Sequence, residues 1–338
     1  MISVTMHFRT CIVALAVIGM TDMTVAAGAI PQPPRALSAT STPKTFEPGR
    51  LERVEALRDP LIKGAVITWY TRGFRRHARE IQRFMNGERG FIEKQLGVSV
   101  PLSLAVLDPR QWKRVERQLP YPMPSVSGDP PVALMPADWT RGPDFFPRQQ
   151  DSNPALVKSV LARGSSWQDA SHRAMDLVGG HELGHTAVDS YGIAPGTHWL
   201  NELLASYVMY AYLQHDRRDL LWLIPVMQAI CRVDRPQPRV SLEDFESRYM
   251  QILSTDAANY SWYQGQFMQQ VQRVYARQGV RFLSKVRAAF PAGARRFALG
   301  NAATLRRLDA IDPSFDAWAK SLAAFARASS STPHQEKP

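Results

Sequence analysis

The sequence predicts an α+β fold: a small mixed β-sheet with helices in the first half, then a mainly helical C-terminal subdomain. Three observations predict it. Ala65–Tyr70 and Val98–Leu107 are rich in β-branched and apolar residues and read as strands, the second of them buried. Between them, Phe74–Leu96 has a helical period that turns Ile81, Met85, Ile92 and Leu96 to one face. Beyond residue 216, helical patterning continues to about residue 326 with little β-type alternation.

The elements follow in order. Residues 1–29 read as a signal peptide: His7 and Arg9 precede the apolar run Cys11–Met20, and small residues offer cleavage after Ala27 or Ala29. The apolar run is too short to span a bilayer comfortably. Residues 30–50 contain Pro31, Pro33, Pro34, Pro43 and Pro48 and are expected to form a flexible linker. An N-terminal subdomain is expected over 51–192 and a helical one over 193–327, with a disordered polar tail at 328–338. Within the first, Pro109–Gln118 reads as a short helix. Pro131–Pro136 is a short apolar run bounded by prolines, which predicts an edge strand. Residues 141–165, rich in Pro, Arg, Asp and Ser, are expected to form a loop over a cleft.

Composition narrows the function classes. With 45% hydrophobic and 21% charged residues, the chain fits an ordinary globular enzyme. Its net charge is +11, but much of this is arginine scattered along helices, as at Arg72, Arg75, Arg76, Arg79 and Arg83. Such a run reads as a solvated helix face, and no nucleic-acid module accompanies it, so nucleic acid is not an expected partner. Electrostatic association with anionic surfaces of a cell envelope is the consequence expected of the charge. Outside residues 1–29, Cys231 is the sole cysteine, which excludes an internal disulfide and a cysteine zinc cluster.

The chemistry concentrates in His181-Glu182-Leu183-Gly184-His185, an H-E-x-x-H pattern. On a helix, residues four apart share a face, so both imidazoles can reach one Zn²⁺ at about 2.0–2.1 Å. Glu182 is rotated off that line by about 100°. It misses the metal but can touch a water beside it, which suits a general base. Ser165 and Ser166 mark the start of a helix over roughly 167–191, and Gly192 marks its end. After a loop containing Pro195 and Gly196, a second helix opens with Trp199-Leu200-Asn201-Glu202. An antiparallel return would bring Glu202 back to the two histidines as a third ligand, completing a His₂Glu set with an open position. Asp189 and His198 are the rival third ligands. Asp189 and Ser206 each lie one turn beyond a ligand, where they could orient an imidazole's free N–H, with ordinary helix packing the other reading of Ser206.

H-E-x-x-H followed by W-L-N-E resembles the gluzincins, the clan of thermolysin and the zinc aminopeptidases, and within it the bacterial peptidase MA-like domains. The resemblance covers residues 51 to 328 loosely and the ligand segments sharply. It implies a zincin-like fold, His181, His185 and Glu202 as ligands to one zinc, and Glu182 as base. It further implies an oxyanion-stabilising tyrosine near the start of a downstream helix, with Tyr263 the first choice and Tyr260 the second. Finally, it implies an edge strand that pairs with substrate backbone, for which Val132, Ala133, Leu134 and Met135 stand in the corresponding order. The chain is thus expected to be an exported zinc peptidase, periplasmic or secreted, acting on a peptide or protein. The alternative expectation is an inactive zinc-bearing binding protein of the envelope.

Overall fold

The computed structural model describes residues 48–141, 146–231 and 240–330. The expected signal peptide, most of the linker and the end of the polar tail lie outside the described residues. The linker was expected to run to residue 50, but helix α1 (Arg50–Glu55) already begins there, with the Arg50 side chain buried.

Five strands form one mixed sheet: β1 (Leu61–Ile62), β2 (Ile67–Tyr70), β3 (Ser103–Leu107), β4 (Ser125–Ser127) and β5 (Val132–Pro136). Their spatial order is β1-β2-β3-β5-β4. Parallel pairing joins β2 to β3 and β3 to β5, while β1 and β4 pair antiparallel to their neighbours. The crossover between β2 and β3 is helix α2 (Arg75–Leu96), which buries Ile81, Met85 and Ile92 as its periodicity predicts. Helix α3 (Pro109–Val115) is capped by Asp108, whose side chain accepts from the main-chain N–H groups of Arg110 and Gln111.

Alternation along the strands separates two cores. Leu104, Val106, Ala133 and Met135 face the main helical core, while Ala105, Leu107, Val132 and Leu134 pack with Val54, Trp112 and Val115. This corrects the edge-strand expectation for Val132–Met135. Those four residues are fully buried and paired on both sides, to β3 through Ser103↔Val132 and to β4 through Ser127↔Val132. Their prolines sit where the strand begins and ends, so ladder bonds within it survive. The edge is β4, a short strand that nothing in its own composition announced.

Within the expected loop 141–165, the described residues include α4 (Pro154–Leu161), capped by Asn153. The expected helix over 167–191 is two helices, α5 (Trp167–Asp176) and α6 (Val178–Ser190), which meet at Leu177. There the bonds shorten to i→i+3, from Leu177 N–H to Ala174 and from Gly180 N–H to Leu177. The break re-aims α6 so that it lies between α2 and α7 (His198–Asp216). Gly180 allows the first approach, since a Cβ there would overlap Glu88 and Phe84 of α2. Gly184 allows the second, since a Cβ would stand 2.5 Å from the carbonyl oxygen and 2.8 Å from the Cα of Ala205.

The rest is helical: α8 (Leu223–Ile230), α9 (Leu242–Ser247), α10 (Tyr249–Thr255), α11 (Ala257–Gln278), α12 (Arg281–Ala289), α13 (Asn301–Asp309) and α14 (Ser314–Ser330). The described residues from 48 onward belong to one compact unit, and the expected division at 192/193 falls inside it. Leu183 and Ala187 share a core with Leu203, Tyr207 and Phe267 across that division. Among the described residues, no helix is long and apolar enough to cross a membrane.

One buried carboxyl group stands apart from this packing. Glu88 on α2 is fully buried and neither carboxylate oxygen has a hydrogen-bond partner. Burial raises its pKa well above the ordinary value. Above the unfolded-state pKa, folding must therefore take up a proton, and stability falls as pH rises towards the folded-state pKa. Glu88→Met should stabilise the fold by about 1–3 kcal/mol by removing unsatisfied polar atoms, with a larger gain in melting temperature at pH 8 than at pH 4. Gly184→Ala should do the reverse. Its gain of about 1 kcal/mol in helix propensity is outweighed by a backbone clash of the kind that costs about 1–3 kcal/mol. Urea unfolding would show a lower midpoint for that variant.

Candidate metal centre

The α6–α7 contact determines the geometry of the site. His181 and His185 lie one turn apart on α6, and their rings meet edge to face with centroids 4.7 Å apart. Glu202 and Ser206 lie one turn apart on α7, facing them. Glu202 Oε2 is 3.1 Å from His181 Nε2, and Glu202 Oε1 is 3.7 Å from His185 Nε2. Among the described residues, these three form the one group able to converge on a metal ion, with their donor atoms within 4.8 Å of one another. The rival third ligands lie elsewhere. His198 is stacked between Tyr249 and Phe297 and bonded to Glu246. Asp189 forms an ion pair with Arg296.

Each imidazole is held by its other nitrogen. Ser206 Oγ lies 3.0 Å from His181 Nδ1, as the helical spacing suggested. His185 Nδ1 is met at 2.9 Å by the side-chain amide of Asn201, not by Asp189. Asp189 acts at one remove: it pairs with Arg296, and Arg296 Nη2 donates to Asn201 at 3.3 Å. Asp189 is taken up by its ion pair with Arg296, and Asn201 reaches the imidazole from the facing helix.

Glu202 is 3% exposed yet well satisfied. Tyr249 Oη donates to its Oε1 at 2.5 Å, while Tyr260 Oη and Gln264 Nε2 donate to its Oε2 at 3.2 and 2.7 Å. Burial works to raise this carboxyl, but the two histidines and the Tyr249 hydroxyl prevail and hold it below the usual carboxylate range. Burial pushes His185 down to about 4 against the pull of Glu202. Such a histidine is neutral near pH 7, the form that binds a metal.

Glu182 takes no part in the donor cluster, in keeping with its rotation off the ligand face. Burial pushes its pKa up to about 7, opposed by His181, by Arg50 and by a hydrogen bond from the Val126 main chain of β4. A carboxylate poised near neutrality can both take and return a proton.

Tyr263 is not at the site. Its ring is fully buried, 4.3 Å from that of Phe245, and its hydroxyl donates to the Val240 carbonyl at 2.8 Å. On α11 the residues that face Glu202 are Tyr260 and Gln264, one turn apart; Tyr263 is turned towards the core. Val132–Met135 do not line the cleft either, because β4 lies between them and its open side; Ser125, Val126 and Ser127 do. Sequence reasoning also missed Asn201, Gln264, Tyr249 and Arg296. Asn201 directly precedes the third donor and Gln264 has helical spacing from Tyr260, so both left a signal. Tyr249 and Arg296 arrive from remote segments and left none.

Comparison of the chain with protein-family models, curated proteins and solved structures finds no match in any of the three. The geometry of the site therefore carries the functional reading. Replacing Asn201 or Ser206 by Ala should weaken metal binding by about 10–100-fold, measured by chelator competition. Tyr263→Phe should leave that affinity unchanged and cost about 1 kcal/mol of stability for the lost hydrogen bond.

Proposed function

We propose that the chain is a zinc-dependent peptidase of the gluzincin type, with a zincin-like arrangement of its sheet and its two metal helices. The observation that carries the reading is the convergence of His181, His185 and Glu202, with Glu182 beside them and outside the cluster. The donor set suits zinc: two imidazoles and one carboxylate, a combination that leaves a position open for catalysis. A buried cluster of nitrogen and oxygen donors with held second nitrogens is also the preorganisation that such a site requires.

Bound there by His181, His185 and Glu202, zinc would polarise a scissile carbonyl and make water acidic enough to attack it. Glu182 accepts the proton of the attacking water and delivers it to the departing amine. Tyr260 and Tyr249, whose hydroxyls already reach the third ligand, replace Tyr263 as the groups that donate to the developing oxyanion. The open edge of β4 takes over from Val132–Met135 as the strand that pairs with an extended substrate, since it lines the cleft beside Glu182. The substrate is a peptide or protein. Export to the periplasm or outside the cell follows from the signal-like segment at residues 1–29. The exposed arginines at 72, 75, 76, 79 and 83 favour association with anionic envelope surfaces.

Two variants test the proposal. By elemental mass spectrometry, wild type should carry about one zinc per chain, as a single His₂Glu site requires, and Glu202→Ala should lose most of it. Glu182→Gln should keep the zinc and lose cleavage of a peptide library by at least about a hundredfold, the scale of general-base catalysis. Wild-type turnover by Glu182→Gln would remove Glu182 from the mechanism.

A further inference from the structure

His198 opens α7 one turn before Glu202, yet it takes no place among the donors. Its imidazole is held in a fixed plane. Glu246 accepts from Nδ1 at 2.8 Å and from the main-chain N–H groups of His198 and Trp199 at 2.9 and 3.3 Å. The ring is stacked against two others. Tyr249 lies with its centroid 4.7 Å away and its plane inclined by 14°, and Phe297 lies at 4.1 Å and 15°.

Each of these neighbours leads to a different metal donor. Tyr249 Oη donates to Glu202 Oε1 at 2.5 Å. Phe297 follows Arg296, whose guanidinium lies 5.1 Å from the Phe297 ring and bonds Asn201, the partner of His185 Nδ1. Phe297 is also a strained position. Its φ of 54° falls in the left-handed region, which a bulky side chain rarely adopts. Such a conformation persists only where the surrounding structure over-determines it, as at ligand clamps. Burial does not account for it, since Phe297 is 37% exposed. What holds it is the stack on His198 and the bond from its main-chain N–H to the Pro195 carbonyl at 2.9 Å.

We propose that His198 is a positioning residue of the metal centre. Its ring, oriented by Glu246, sets Tyr249 against Glu202 and the Arg296–Phe297 segment against Asn201. One side chain outside the donor set thereby aligns two of the three donors, while His181 is held separately by Ser206. The inference rests on the metal centre of the peptidase reading and not on cleavage.

The test uses the full chain loaded with zinc, or with Co²⁺, whose visible absorption reports the geometry of its donors. His198→Asn keeps a donor for Glu246 and removes the ring. It should lower zinc affinity by at least about tenfold, the scale on which groups that hold metal ligands act, and shift the Co²⁺ bands. His198→Phe restores a ring to the stack and should return both readouts towards wild type. In a chain carrying Tyr249→Phe and Arg296→Gln, both routes are already cut. There His198→Asn should change zinc affinity by less than about twofold, the tolerance of independent effects. Wild-type affinity and absorption in His198→Asn overturn the proposal, even where its melting temperature falls. So does a His198→Phe that recovers neither readout, or an undiminished loss in the doubly substituted chain. The expected responses with no cleavage by wild type keep the proposal and remove the peptidase reading. A wild-type chain that binds no metal overturns both.

Discussion

The close approach of α6 and α7 at Gly184 and Ala205 is the constraint on which the site depends. Packed helices ordinarily stand about 8–10 Å apart, a distance governed by the side chains at the crossing. With no side chain at Gly184, the backbone of Ala205 comes to where a Cβ would be. Glu202 and Ser206, on either side of this contact along α7, then both touch His181. The glycine inside the motif therefore sets the spacing at which Glu202 and Ser206 of the other helix meet His181. Gly180 acts similarly against α2, so α6 is wedged between two helices and the histidines are held from both sides.

The turn that joins the two helices is itself held from a distance. Ala194 N–H donates to the Phe290 carbonyl, and the N–H groups of Phe297 and Leu299 donate to Pro195 and Gly196. The same late segment supplies Arg296, which links Asp189 to Asn201 and so to His185. Residues about 100 positions later thus brace both the backbone and one imidazole of the site. Such bracing is what keeps a ligand set within the narrow geometric tolerance that metal chemistry needs.

Three buried carboxylates show how the same desolvation cost is met differently. Glu202 is surrounded by donors and stays ionised. For Glu182, burial pushes the pKa up to about 7 against His181, Arg50 and one main-chain donor. Glu88 has no partner, and burial alone drives it towards the neutral form. The gradient from full to no compensation runs from α7 through α6 to α2, with Glu182 at its middle.

Local pattern determined much of this protein. The spacing of His181 and His185 and the offset of Glu182 follow from helical period, the short loop pointed to the return of Glu202, and α2 and β3 were legible from their own periods. Ser206 was legible for the same reason, being one turn beyond Glu202. What period cannot express is which segment comes to lie beside which. The strand Val132–Pro136 looked like an edge because its flanking prolines suggested one, yet β4 covers it, and pairing between strands is decided by the whole sheet. The sequence put Tyr263 first and Tyr260 second; the crossing of α11 over α7 turned the first to the core and the second to Glu202. Tyr249 and Arg296 reach the site only because tertiary packing returns the chain there. The sequence by itself determined the candidate donors and the offset of Glu182 from them, because His181, Glu182 and His185 share local helical geometry and a short loop returns Glu202. The groups that hydrogen-bond them, the strand beside them and the shape of the cleft depend on long-range packing, and only the tertiary structure decided those.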